Sequence, residues 1–180
     1  MIINKKLQEE LSRLYLIGEE EYIRSLGSGY TRVPENAIKS LEKIMSLDPN
    51  NDHDDTAAAM AILADLYRIN GRYKEARGIL MKLLELTDNN KAGVFAEACR
   101  YEFYRDIGFT YYLEKNYKYA MEAFNVSFKL NSRYNYGAIL GRALLQRRSK
   151  QYKEARANIH LARALKAVFI YCHVQFLKPD

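Results

Sequence analysis

The sequence predicts an all-α chain assembled from repeated helix-turn-helix units, and three observations carry that expectation. The first is composition. Three prolines and nine glycines stand against 48% hydrophobic and 28% charged residues in 180, a balance that favours helices over a turn-rich β-protein and can fill a buried core. The second is recurrence. "LYRINGRYKEA" at 66–76, "YYLEKNYKYA" at 111–120 and "LLQRRSKQYKEA" at 144–155 each read as a helix end, a short polar turn and Tyr-x-x-Ala. The third is periodicity: Leu80, Phe124 and Ile159 lie four residues beyond Ala76, Ala120 and Ala155, each at the start of a further helical stripe.

Taken in order, the pattern predicts helices at residues 4–25, 35–47, 56–69, 73–87, 91–114, 117–130, 135–148 and 152–170. The first pair rests on Ile17-Gly18, then on Ala37, Leu41, Ile44, Leu47 and Pro49, joined by the long turn "GSGYTRVPEN". The second carries Leu63-Ala64-x-x-Tyr67 before its turn and follows "NNDHDD", where Asp55 and Thr56 are suited to cap the incoming helix. The third carries Ile107-Gly108-x-x-Tyr111, and "NNKAGVFAEACR" lengthens its first helix. The fourth is read as Leu140-Gly141-x-x-Leu144. Small residues at Ala64, Gly108 and Gly141 allow close helix approach, with the anchor alanines facing them. Tyr67 and Tyr111 fill the space beside them, their hydroxyls within reach of a polar partner. Gly71 suits the left-handed residue that ends a helix, and Asn116 tolerates the same conformation.

Together these residues resemble the tetratricopeptide repeat, with Leu-Gly and Tyr on a first helix, then Ala, an aromatic residue and a terminal Pro on a second. The resemblance covers most of the chain. It implies a solenoid of about four helix pairs, a right-handed superhelix in one domain over residues 1–180, with repeats at about 4–50, 56–90, 91–133 and 134–168. Anchor alanines 39, 44 and 35 residues apart make the array irregular against the family period of about 34. One pair cannot bury both its faces, which is why the unit recurs.

The resemblance also implies a non-enzymatic interaction module or assembly adaptor, holding a peptide segment in a groove lined by the first helices. Counting from the anchors, Asp65, Arg68, Glu102, Arg105, Phe109, Tyr112, Asn135 and Arg142 would face that groove, together with Ala58, Ala61, Ala138 and Leu145. Phe109 and Tyr112 between Arg105 and Arg142 would anchor an apolar side chain and pair with an acidic one. Glu19, Asp65 and Phe109 stand where the chaperone-binding members carry Asn, so heat-shock protein tails are not expected.

Charge offers a second reading. Residues 1–55 hold seven Lys/Arg against eleven Asp/Glu, net −4, and the remainder is +10. Within residues 141–180, Arg142, Arg163, Lys166, Lys178 and a candidate basic patch of Arg147, Arg148, Lys150, Lys153 and Arg156 face only Glu154 and Asp180, and could attract an acidic protein surface or a nucleic-acid backbone. The apolar end "AVFIYCHVQFLKP" at 167–179, most of it in segment 169–180, would either cap the last pair or join a second copy as a homodimer or larger scaffold. Cys99 and Cys172 read as unpaired, mostly buried thiols. His53 among Asp52, Asp54 and Asp55 reads as a solvated helix start, and no metal or other cofactor is expected. No phosphate-binding, dinucleotide or hydrolase motif occurs, and neither an export signal nor an apolar span, so a cytoplasmic protein without membrane association is expected.

Overall fold

A computed structural model of the chain describes residues 5–27, 34–51, 54–89, 93–133 and 135–176. These form α1 (Lys5–Gly27), α2 (Glu35–Leu47), α3 (Asp54–Ile69), α4 (Tyr73–Asp88), α5 (Gly93–Leu113), α6 (Tyr117–Leu130), α7 (Tyr136–Arg148) and α8 (Tyr152–Phe176), with no strand among the described residues. The largest departure from the sequence reading is at the end. α8 runs on to Phe176, six residues beyond the predicted end at 170. The side chains of that stretch, and residues 177–180, lie outside the described residues.

The α3–α4, α5–α6 and α7–α8 turns are one structure repeated three times. In each, the residue five before the anchor alanine is left-handed: Gly71 at φ 75°, Lys115 at 63° and Lys150 at 61°. The next residue then donates its N–H five residues back, from Arg72 to Tyr67 at 2.8 Å, Asn116 to Tyr111 at 2.9 Å and Gln151 to Gln146 at 2.9 Å. This is the Schellman closure, which satisfies carbonyls that a helix end leaves orphaned. Asn116 is not the left-handed residue, since its φ is −89°; Lys115 takes that position. A lysine there carries a Cβ strain of about 1–2 kcal/mol that glycine avoids.

The shared turn also fixes the register of the fourth unit. Counting back from Lys150 as from Gly71 and Lys115, the equivalents of Leu63-Ala64 and Tyr67 are Arg142-Ala143 and Gln146, not Leu140-Gly141 and Leu144. Burial agrees, with Ala64 at 2% exposure and Ala143 at 1%, whereas Leu140 is 40% exposed. Gln146, in the tyrosine's place, accepts from Asn158 Nδ2 of α8 at 2.7 Å.

The chain divides into two compact units, Met1–Phe103 and Tyr104–Asp180. In the first, Leu11, Leu41, Ile44, Met60, Leu63, Leu66 and Leu83 are almost fully buried, and each such side chain contributes about 1.5–3 kcal/mol. Polar bonds fix the helices around that core. Ser12 donates to Asp55 at 3.0 Å, Tyr22 to Asp65 at 2.9 Å, and Thr56 to Asp48 at 2.6 Å in a buried link between α2 and α3. Asp55 therefore ties α3 to α1 from inside the helix, which begins two residues earlier than a cap at that site would require. Gly18 packs on Leu41, where a Cβ would come within 2.7 Å, as expected of the first pair.

In the second unit the core centres on Phe124, which is 0% exposed. A Cβ at Gly108 of α5 would come within 2.6 Å of its ring, and one at Gly141 of α7 within 2.4 Å. The ring is thus held between the glycine of its own pair and a glycine of the following pair. Phe109 meets it edge to face at 5.0 Å between centroids, a favourable aromatic geometry. Ala120, Ala138 and Leu145 complete the cluster.

Candidate functional site

The expected groove residues fall into separate settings. In the first unit, Asp65 accepts from the Tyr22 hydroxyl and from the Arg68 guanidinium, so Asp65 and Arg68 neutralise each other. Glu102 accepts from Tyr101 at 2.9 Å. In the second unit, Arg105 makes a two-pronged bond to Asp106 at 2.8 and 3.1 Å, and its aliphatic stem lies where a Cβ on Gly137 of α7 would be. Phe109 and Tyr112 are half-buried, with Tyr112 tilted against Tyr117 of α6 at 5.8 Å.

The two-residue register correction moves the α7 side of this face. Asn135 is 2% exposed and is not a groove residue. Its amide donates to the Ser127 carbonyl at 2.9 Å and hydroxyl at 2.7 Å, and its side-chain oxygen caps the Ala138 N–H at 3.1 Å. Ala138 and Leu145, at 0% and 3%, are likewise core. Arg142 occupies the inner position held by Leu63 and Ile107 elsewhere, its guanidinium 4.9 Å above the Phe128 ring of α6 and its Nε buried without a hydrogen-bond partner. The outward positions equivalent to Glu102, Arg105, Phe109 and Tyr112 are Gly137, Leu140, Leu144 and Arg147. Leu140 is 40% exposed.

The basic patch also resolves into parts. Arg148 lies over the Tyr117 ring at 4.4 Å, a cation–π contact, and Lys150 is the left-handed turn residue. Arg147, Lys153 and Arg156 instead border two adjoining clefts of about 430 and 290 Å³ on α8, joined there by His160 and Arg163. Arg163 belongs to the basic C-terminal third of the sequence, and His160 joins it at helical spacing from Arg156.

A further polar cluster was not anticipated beyond one hydroxyl. Tyr67 is 7% exposed and donates to Glu42 of α2, while the Arg72 guanidinium covers its ring at 3.8 Å and approaches Glu42 at 3.6 Å. Burial first, and then the bond to Glu42, push the Tyr67 phenol up to about 12. Glu42 and Tyr67 border a shallow cleft of about 390 Å³ floored by Met45, Leu63 and Ile79. Such a phenol is a hydrogen-bond donor with no proton to release near neutrality.

Among the described residues no group of three His, Cys, Asp or Glu is placed to hold a metal. Asp52 and His53 lie outside the described residues, as does the side chain of Cys172; Cys99 is half-buried. No helix of the described chain is long and apolar enough to cross a membrane.

No family model matches the sequence, and no curated protein matches it significantly. Among solved structures, MamA, a tetratricopeptide-repeat protein, matches with a TM-score of 0.61 at 18% identity, over 89% of this chain and 81% of that one. Pseudomonas aeruginosa PilF matches at 22% identity over 89% and 78%, with a TM-score of 0.43. The repeated Schellman turns, the buried anchor alanines and the likeness to MamA lead to one conclusion: the chain has the tetratricopeptide-repeat fold.

Proposed function

We propose that this chain is a non-enzymatic protein-interaction module, an assembly adaptor that holds a peptide segment against the first helices of its second unit. The supporting observation is the outward row on α5 and α7. Leu140 is 40% exposed on the face that carries Arg105, and half-buried Phe109, Tyr112 and Leu144 share the row. An exposed leucine beside aromatic edges offers an anchor for an apolar side chain, while Arg147 at the end of the row offers a cation for an acidic one. Arg105 contributes its stem more than its charge, because Asp106 already satisfies two of its donors. Repeat solenoids commonly use such stacked helix faces as binding surfaces.

The test is affinity capture with tagged protein, with and without nuclease and at low and moderate salt, comparing the parent with Leu140→Glu. Leu140 is exposed enough for the variant to fold, which circular dichroism checks. The reading expects a protein captured by the parent, resistant to nuclease and moderate salt, and lost from the variant. Identical capture by parent and folded variant would overturn the site. Recovery of nucleic acid alone, lost at moderate salt, would overturn the adaptor reading, since phosphate contacts carry the steeper salt dependence.

A further inference from the structure

Phe124, four residues beyond its anchor alanine, sits at the joint between its own helix pair and the next. Leu41, Leu80 and Phe124 hold that position in the first three pairs and are 0%, 2% and 0% exposed. Phe124 shows what closes the joint, since Gly141 on the following first helix lies against its ring. Ile159 holds the position in the last pair, yet it is half-buried and floors one of the α8 clefts.

The rim of that opening has one sign of charge. Arg147, Arg156 and Arg163 border the cleft with Tyr152 and His160, and Lys153 borders the adjoining one. None of these cations takes part in an ion pair among the described residues. Arg156 and Arg163 stand two turns apart along α8, about 10 Å. The floor is apolar, from the Tyr152 ring, Ala155 and Ile159.

We propose that the α7–α8 end is a second docking surface, and that its occupant is an acidic amphipathic helix of a partner protein, seated over Ile159 as Gly141 and its helix are seated over Phe124. The partner helix presents a small residue to Ile159, and its carboxylates pair with Arg156, Arg163 and Arg147. The apolar floor favours this occupant over a nucleic-acid strand, because a phosphate backbone leaves Ile159 unsatisfied while an alanine or glycine stripe covers it. Unpaired cations at the rim steer the approach, and burial of the floor holds the complex. This surface shares Arg147 with the Leu140 row, but its floor and its other cations lie on α8, so Ile159, Arg156 and Arg163 test it independently of Leu140.

The experiment uses the full chain and a fluorescent synthetic helix of roughly 18 residues, with an alanine stripe flanked by glutamates, read by anisotropy at ~0.1 M salt. The same helix with glutamine for glutamate, and a single-stranded oligothymidylate, are the comparison probes. The expected result is binding of the glutamate helix in preference to both. Arg156→Glu with Arg163→Glu lowers its affinity about tenfold or more, as expected for two reversed surface pairs. Ile159→Trp, which fills the cleft without changing charge, also weakens it, whereas Leu140→Glu does not. Equal binding of the glutamate and glutamine helices, preference for the oligonucleotide, indifference to Ile159→Trp in a folded variant, or no binding at all would each overturn the proposal.

Discussion

Phe124 and Ile159 occupy the same place in successive helix pairs and meet opposite fates. Phe124 is sealed between Gly108 and Gly141 with no exposure, and Ile159 lies half-open between arginines. The difference does not come from the helix pair itself, because both lie four residues after a buried alanine and follow the same Schellman turn. It comes from the neighbour. The Phe124 joint is completed by Gly141 of the following first helix, while Ile159 keeps a cleft beside it.

The comparison is broken most forcefully at its closed end. Phe124→Ala is expected to cost about 3–5 kcal/mol, since truncation leaves a cavity between two glycines that cannot refill it. Ile159→Ala is expected to cost less than about 1 kcal/mol, as a half-exposed site loses little burial and opens no cavity. Urea unfolding of the two variants measures both, and similar losses would refute the distinction. Gly141→Val should follow at about 1–3 kcal/mol, because its Cβ would stand 2.4 Å from the Phe124 ring. Gly137→Ala probes the milder version, where the obstacle is the flexible Arg105 stem and not an enclosed ring.

Next in size come the polar cap and the turns. Asn135→Ala should cost about 1–2 kcal/mol, since it removes the Ala138 cap and the two amide bonds to buried Ser127. Lys115→Gly and Lys150→Gly should each stabilise by about 0.5–1 kcal/mol by relieving a left-handed lysine, and Gly71→Ala should destabilise by about 1 kcal/mol. If the three turns are equivalent, the two lysine substitutions give equal gains in thermal midpoint.

The smallest effect belongs to the first unit. Tyr67 keeps its proton to about pH 12 when folded, against 10 for an ordinary tyrosine, and so does Tyr15 beside Glu19. A raised folded value means that this stabilisation is complete below pH 10 and is lost as pH rises towards 12. Ultraviolet titration should show a late-ionising fraction that shrinks in Tyr67→Phe.

Most helix positions were legible because the Tyr-x-x-Ala turns recur, and a helix that must end in a Schellman closure leaves little freedom in its boundary. Two misreadings share one cause. Leu140-Gly141 looked like the Leu-Gly of the repeat, and Asn116 looked like the left-handed residue, because residue type was weighed above distance from the anchor alanine. Gly71 is five residues before Ala76, and the same count reaches Lys115 and Lys150. From there it reaches Ala143, and the displaced Leu140 becomes the exposed side chain of the proposed face. The sequence offered no comparable signal for Arg142 over Phe128 or for Arg105 turning to Asp106, since those depend on packing between helices. Likewise the partial exposure of Ile159 depends on packing between helices, which no local pattern records.

The claim that the chain works by holding a protein partner is tested most directly by comparing parent and Leu140→Glu in nuclease-treated affinity capture at moderate salt. The account predicts one or a few proteins retained by the parent and absent from the folded variant. Capture that is the same for both, or that vanishes with nuclease, would contradict it.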